Sequence, residues 1–173
     1  IGYVTMENAK FGGILGFDFL SRFPVLIDYQ KYRLTVFNPD KFAMPPGGTI
    51  IPFELHNKIP TTTATIAGAE GKFILDLGNA IGMVLHDEFV VSNNLEKQIE
   101  GIHDLEGGML GVGGMAKIRG GIIRSLKLGD IELGPTSVFL PEAAGGMSSS
   151  RRIDGNIGNP ILKQFTVLLD YER

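Results

Sequence analysis

From Ile50 onward, short β-branched and apolar runs alternate with glycine-rich turns. Thr61 to Ile66 is such a run, Ala67-Gly68-Ala69-Glu70-Gly71 has turn chemistry, and Lys72 to Asp76 returns, which predicts a hairpin ending in a carboxylate. After Gly78-Asn79-Ala80, Ile81 to Leu85 predicts a buried strand and His86 to Leu95 a short helix. Ser125 to Leu128 and Ile131 to Leu133 flank Gly129-Asp130, a two-residue hairpin signal, and Val138 to Leu140 adds a further strand. Gly107 to Gly114, GGMLGVGG, is too rich in glycine for a helix or a stiff strand and predicts a mobile or closely approached loop. Gly145 to Arg152 predicts a polar loop. Near the end, Asn159 is placed to cap a helix whose first position is Pro160, so Pro160 to Gln164 predicts one or two turns, followed by a strand from Phe165 to Asp170.

The same pattern occurs earlier in the chain. Gly13 to Lys31, GILGFDFLSRFPVLIDYQK, aligns without a gap on Gly155 to Arg173, GNIGNPILKQFTVLLDYER, at an offset of 142 residues. Eight of nineteen positions are identical: Gly13/Gly155, Gly16/Gly158, Leu20/Leu162, Phe23/Phe165, Val25/Val167, Leu26/Leu168, Asp28/Asp170 and Tyr29/Tyr171. A shared turn, helix and strand explains apolar matches but not a common Gly-x-x-Gly and Asp-Tyr. In the first copy Pro24 stops the helix, and Val25 to Tyr29 pairs with Arg33 to Phe37 across Gln30-Lys31-Tyr32. The expected organisation is residues 1–43 as the last part of a truncated first lobe, a Pro- and Gly-rich linker at 44–49, and a complete second lobe at 50–173. Ile1-Gly2-Tyr3 has neither an initiator Met nor a basic leader, so the start reads as a cut.

Composition narrows the function. A length of 173 residues suits one domain or two small lobes, able to bury about two-thirds of the unfolded surface. With 43% hydrophobic residues, 20% charged and a net charge of -3, the chain is no disordered polyelectrolyte and has no basic footprint for nucleic acid. Apolar runs such as Ile81 to Leu85 and Phe165 to Leu169 fall far short of the roughly 20 residues of a membrane span. Zero cysteines exclude disulfides and thiolate chemistry, and His56, His86 and His103 share no metal-binding spacing. Gly111-Val112-Gly113-Gly114 lacks the Lys-Ser/Thr of a phosphate loop, so no cofactor is expected. Glycine, 24 of 173 residues, is about twice its usual share, as many tight turns require.

Asp76 is the carboxylate placed as a catalytic group would be, at the end of the apolar strand Phe73-Ile74-Leu75 and before Leu77-Gly78-Asn79. A charge there needs backbone N–H donors and a partner, and Gly78 lets amides approach. Asp-x-Gly taken singly also fits ordinary turn chemistry. Asp28 and Asp170, beside Tyr29 and Tyr171, read as structural strand ends, and Asp154-Gly155 as a turn, with contact to the cleft as the alternative.

The ordered set of motifs resembles the pepsin and retropepsin superfamily of aspartic proteases, closest to the bacterial type with two retropepsin-like lobes in one polypeptide. Ile14-Leu15-Gly16 matches its hydrophobic-hydrophobic-Gly motif, and Ile157-Gly158 matches it with Asn156 in the first slot. The resemblance implies an all-β fold, an acid-protease closed barrel lobe with one short helix per repeat. It also implies Asp76 as catalytic aspartate, Gly78 as motif glycine, and Gly111 to Gly114 or the strands just after as a flap over an extended polypeptide substrate. Two aspartates then face each other, share one proton and activate water. By the same analogy, export to a periplasm or cell surface is expected.

Two departures stand out. The family carries Thr or Ser where this chain has Leu77, whose side chain cannot hydrogen-bond between lobes. No Asp-Thr-Gly or Asp-Ser-Gly occurs anywhere in the chain, so the second aspartate must come from a preceding N-terminal lobe or a second subunit. Three readings remain open: an aspartic endopeptidase, a pseudoprotease that binds peptides or assembles, and a purely structural β-domain.

Overall fold

The β-branched runs form strands, and the turns between them fall where residues accept positive φ. The structure is a computed structural model describing residues 13–111, 114–142 and 153–172. In chain order the early elements are α1 (Phe17–Leu20), β1 (Val25–Asp28), β2 (Arg33–Val36) and a 3-10 turn at Pro39–Lys41. Next come β3 (Glu54–His56), β4 (Ile59–Ile66), β5 (Ala69–Asp76), β6 (Met83–Leu85), α2 (Asp87–Ser92) and a 3-10 turn at Leu95–Gln98. The rest are β7 (Glu100–Gly111), β8 (Gly114–Ile123), β9 (Leu126–Leu128), β10 (Ile131–Leu133), β11 (Thr136–Pro141), β12 (Gly155–Gly158), α3 (Asn159–Leu162) and β13 (Thr166–Leu169). Strands dominate and the helices are short, as the all-β expectation requires. The described residues divide into two compact units, 13–48 with 162–172, and 49–161.

The first unit holds a three-stranded sheet in the order β13-β1-β2. Strand β1 pairs antiparallel with β13 as Val25↔Leu169, Leu26↔Leu168, Ile27↔Val167 and Asp28↔Thr166. At the 142-residue offset Leu26 corresponds to Leu168, so these equivalents face each other, and exchanging the two segments leaves the register unchanged. That is the signature of an isologous, two-fold contact. On its other edge β1 pairs with β2, and Asp28 organises the turn between them. Its Oδ1 accepts from the Lys31 backbone N–H and its Oδ2 from the Lys31 ammonium, each at 3.0 Å. These contacts, the backbone one foremost, hold the Asp28 carboxyl below the usual carboxylate range. Asp170 likewise accepts the Glu172 backbone N–H at 3.1 Å, a strand-end role for both aspartates. Val25 and Leu169 form the buried end of this sheet, at 0% and 6% exposure.

The second unit is one large sheet whose path is β10-β9-β4-β5-β12-β6-β11-β8-β7, with β3 on β4. Its tight turns are Asn57-Lys58, Ala67-Gly68 and Gly129-Asp130, where φ is 50° and 67°, 47° and 86°, and 57° at Gly129. Two of these turns are left-handed at both central residues and the third at its first, the hairpin geometries that match the twist of the flanking strands. Alternate residues of β4, Thr62, Ala64 and Ile66, turn inward, and Phe73 of β5 meets Phe89 of α2 edge-on at 5.4 Å between ring centroids. Leu126, Leu128, Val138, Leu140 and Ile157 complete a continuous buried core.

Two expectations need correction. Gly107 to Gly111 and Gly114 are strand rather than loop, because Met109↔Ala116, Leu110↔Met115 and Gly111↔Gly114 are paired across β7 and β8. Ladder hydrogen bonds use only backbone groups, so a partner strand compensates for absent side chains. Val112 and Gly113, like the polar stretch Gly145 to Arg152, lie outside the described residues. Asn159 is the first residue of α3 rather than the residue before it.

Candidate active site

Strands β5 and β6 follow one another in sequence but do not pair. Instead β12 inserts between them, parallel to β5 and antiparallel to β6. The loop Leu77 to Gly82 therefore crosses over the end of β12, and Asp76 stands where the crossing begins, opposite Gly158. Because β5 is buried at Phe73 and Ile74 and half-exposed at Leu75 and Asp76, the carboxylate emerges at the rim of the core.

Both carboxylate oxygens are held. Oδ1 accepts the Gly78 backbone N–H at 3.0 Å, and Oδ2 accepts the side-chain amide of Asn156 at 2.9 Å. The loop is fixed by Asn79, whose backbone N–H donates to the Asp76 carbonyl at 3.2 Å. The Asn79 side chain donates to the Gly82 carbonyl at 3.0 Å and accepts the Ile81 N–H at 2.9 Å. A second asparagine closes the crossing from the far side: the Asn159 amide donates to the Leu77 carbonyl, and its backbone N–H to the Asn79 carbonyl at 2.8 Å. Gly158 lies beneath, and a Cβ there would come within 2.7 Å of both the Asn79 side chain and the Gly82 carbonyl. Only glycine lets β12 pass so close under the loop.

The structure thus gathers Asp76, Leu77, Gly78, Asn79, Asn156, Ile157 and Gly158 into one constellation. Ile157 anchors it at 0% exposure. Ile14, Leu15 and Gly16 belong to the other compact unit and carry no regular structure, with Ile14 and Leu15 exposed at 69% and 63%. Gly111 and Gly114 face each other at the described end of the β7–β8 hairpin. Two interactions were not foreseen from the sequence, the Asn156 amide on Asp76 and the Asn159 amide on Leu77. A signal for the first existed: Asn156 is polar in a motif slot whose counterpart is Ile14.

Asp154 and His86 brace the strands. The Asp154 carboxylate accepts the Lys72 N–H at 2.7 Å, and its carbonyl accepts the His86 N–H at 2.9 Å. The buried His86 ring donates from Nδ1 to the Ile153 carbonyl at 2.8 Å, and burial pushes its imidazole below the usual histidine range. Among the described residues no cluster of three or more His, Cys, Asp or Glu could hold a metal ion. No helix among them is long and apolar enough to cross a membrane.

No family model and no curated protein sequence matches the chain. Solved structures do. A retropepsin-like aspartic protease from Rickettsia conorii superposes with a TM-score of 0.50 and 15% identity, over 69% of this chain and 92% of its own. EIAV protease complexed with the inhibitor HBY-793 gives a TM-score of 0.47 and 22% identity, over 62% of this chain and 88% of its own. At such identities the likeness speaks to architecture, and it agrees with the mostly β arrangement described above: the chain has a retropepsin-like fold.

Proposed function

We propose that this chain belongs to an aspartic endopeptidase in which Asp76 is one member of a catalytic aspartate pair. The observation that carries the reading is the carboxylate at the β5 rim, gripped by the Gly78 N–H and the Asn156 amide over the inserted strand β12. Such an aspartate can take a proton from water while a facing carboxyl, which holds the one proton the pair shares, gives it to the scissile carbonyl oxygen. The pair acts as a unit. The substrate is an extended polypeptide, and the β7–β8 hairpin, through Gly111 and Gly114, serves as the flap that excludes water. Leu15 supports a completing lobe: its equivalent Ile157 is wholly buried as the middle strand of three, whereas Leu15 is 63% exposed. Two flanking strands and the second aspartate come from an N-terminal lobe outside these residues or from a second subunit. A bacterial periplasm or cell surface is the setting that goes with this reading.

In the full-length protein, Asp76→Asn should lower pepstatin-sensitive peptide cleavage at acidic pH by about 10²–10⁴-fold, the usual worth of a positioned acid or base. Full retained activity would defeat the assignment. Residues 1–173 used by themselves should be inactive, or active with a rate rising as the square of concentration; activity per molecule independent of concentration contradicts the need for a completing half.

Leu77 favours one rival, a pseudoprotease that keeps a peptide groove without chemistry. Wild-type protein that binds an extended peptide yet cleaves nothing, with no Asp-Thr-Gly about 142 residues before Asp76, decides for that rival.

A further inference from the structure

The aspartate pair proposed above is symmetric in outline, but the surroundings of Asp76 are not. Ile74 and Asp76 are two residues apart on β5 and so share a face, and Asn156, paired with Ile74 in the parallel register, projects from that face too. Opposite Asp76 itself stands Gly158, which has no side chain to offer. Asn156 is therefore the diagonal neighbour that reaches the carboxylate, its amide 2.9 Å from Oδ2. At the 142-residue offset the counterpart of Asn156 is Ile14, which has no hydrogen-bonding group.

We infer that Asn156 is a positioning residue that makes Asp76 the proton-accepting member of the pair. The inference rests on the protease reading. The Gly78 N–H and the Asn156 amide N–H are donors only, so each suits an unprotonated oxygen. A proton on Oδ2 would point at the amide N–H and force it away. With the amide turned over, its oxygen would face Oδ2, and only a protonated carboxyl could satisfy it. With the amide oriented as a donor to Oδ2, the shared proton belongs to the facing aspartate. In the hydrolytic step a water O–H proton passes to a remaining lone pair of the Asp76 carboxylate as the water oxygen bonds to the scissile carbon. The carbonyl π electrons move to oxygen, which takes the proton of the facing carboxyl. Each carboxylate oxygen has about two lone-pair directions, so the two donors leave room for the water.

The test compares Asn156→Ile, Asn156→Asp and Asp76→Asn, all in the full-length protein with melting temperatures alongside. Asn156→Ile should lower kcat by about tenfold to a hundredfold, as the loss of a hydrogen bond to a charged group does, with KM within about twofold. Asn156→Asp, of the same shape, should be at least as slow because it sets an acceptor against an acceptor, and it carries the test if the isoleucine variant does not fold. A fall in kcat at constant KM and unchanged melting temperature is the pattern that a merely structural asparagine in β12 would not give. Wild-type kcat in Asn156→Ile, or in Asn156→Asp where the isoleucine variant does not fold, overturns the inference. Activity that survives Asp76→Asn defeats the protease reading and this inference together, whereas an inactive Asp76→Asn beside a fully active Asn156→Ile defeats the inference only.

Discussion

A single methyl group at position 158 would press on two neighbours at once, the Asn79 side chain and the Gly82 carbonyl, each 2.7 Å from the added carbon. Gly158→Ala should therefore cost about 1–3 kcal/mol, typical of overpacking, read as a lower denaturant midpoint with an unchanged slope. The crossing loop is a chain of asparagine contacts, so the strain should also loosen the Asp76 carboxylate. At this scale Asp76 was legible, because a charge closing the run Phe73-Ile74-Leu75 and followed by glycine demands a dedicated environment. The partner amides of Asn156 and Asn159 were not. They sit 80 and 82 residues from the groups they hold, and only the β5–β12 register brings them there.

Equivalent segments make a controlled comparison of what a strand gains from neighbours. Ile157 in β12 is fully buried between β5 and β6, so Ile157→Ala should cost about 2–5 kcal/mol, whereas Leu15→Ala at its exposed counterpart should cost less than about 0.5 kcal/mol in residues 1–173. Urea unfolding of the two variants checks the contrast, and a larger Leu15 penalty in the full-length protein is expected if a completing lobe covers it. Most strands were legible from β-branched runs and their turns, the hairpin at Gly129-Asp130 being a clear case. Gly107 to Gly111 was not, since composition reports how freely a backbone moves and not whether a partner strand pairs with it.

For the molecule as a whole, His86 sets a direction for stability against pH. Burial favours its neutral ring, so the unfolded chain, with an ordinary imidazole near 6.5, binds a proton more readily. The stability tied to the neutral ring is complete above that value and is lost as pH falls from there through the lower folded-state value. Urea midpoints at pH 7.5 and pH 5 should show this decline, and His86→Gln should show less of it. Under the reading proposed above, work in acid would fall on the declining side of this stability curve. The retropepsin-like fold was legible from motif order, while the insertion of β12 between β5 and β6 depends on pairing at long range that no local pattern encodes. Strands β1 and β13 meet in an arrangement unaltered when their roles are interchanged, centred on Leu26 and Leu168. A tail exchanged between two molecules would keep every one of these pairs, which is the geometric condition for a reciprocal, domain-swapped pair.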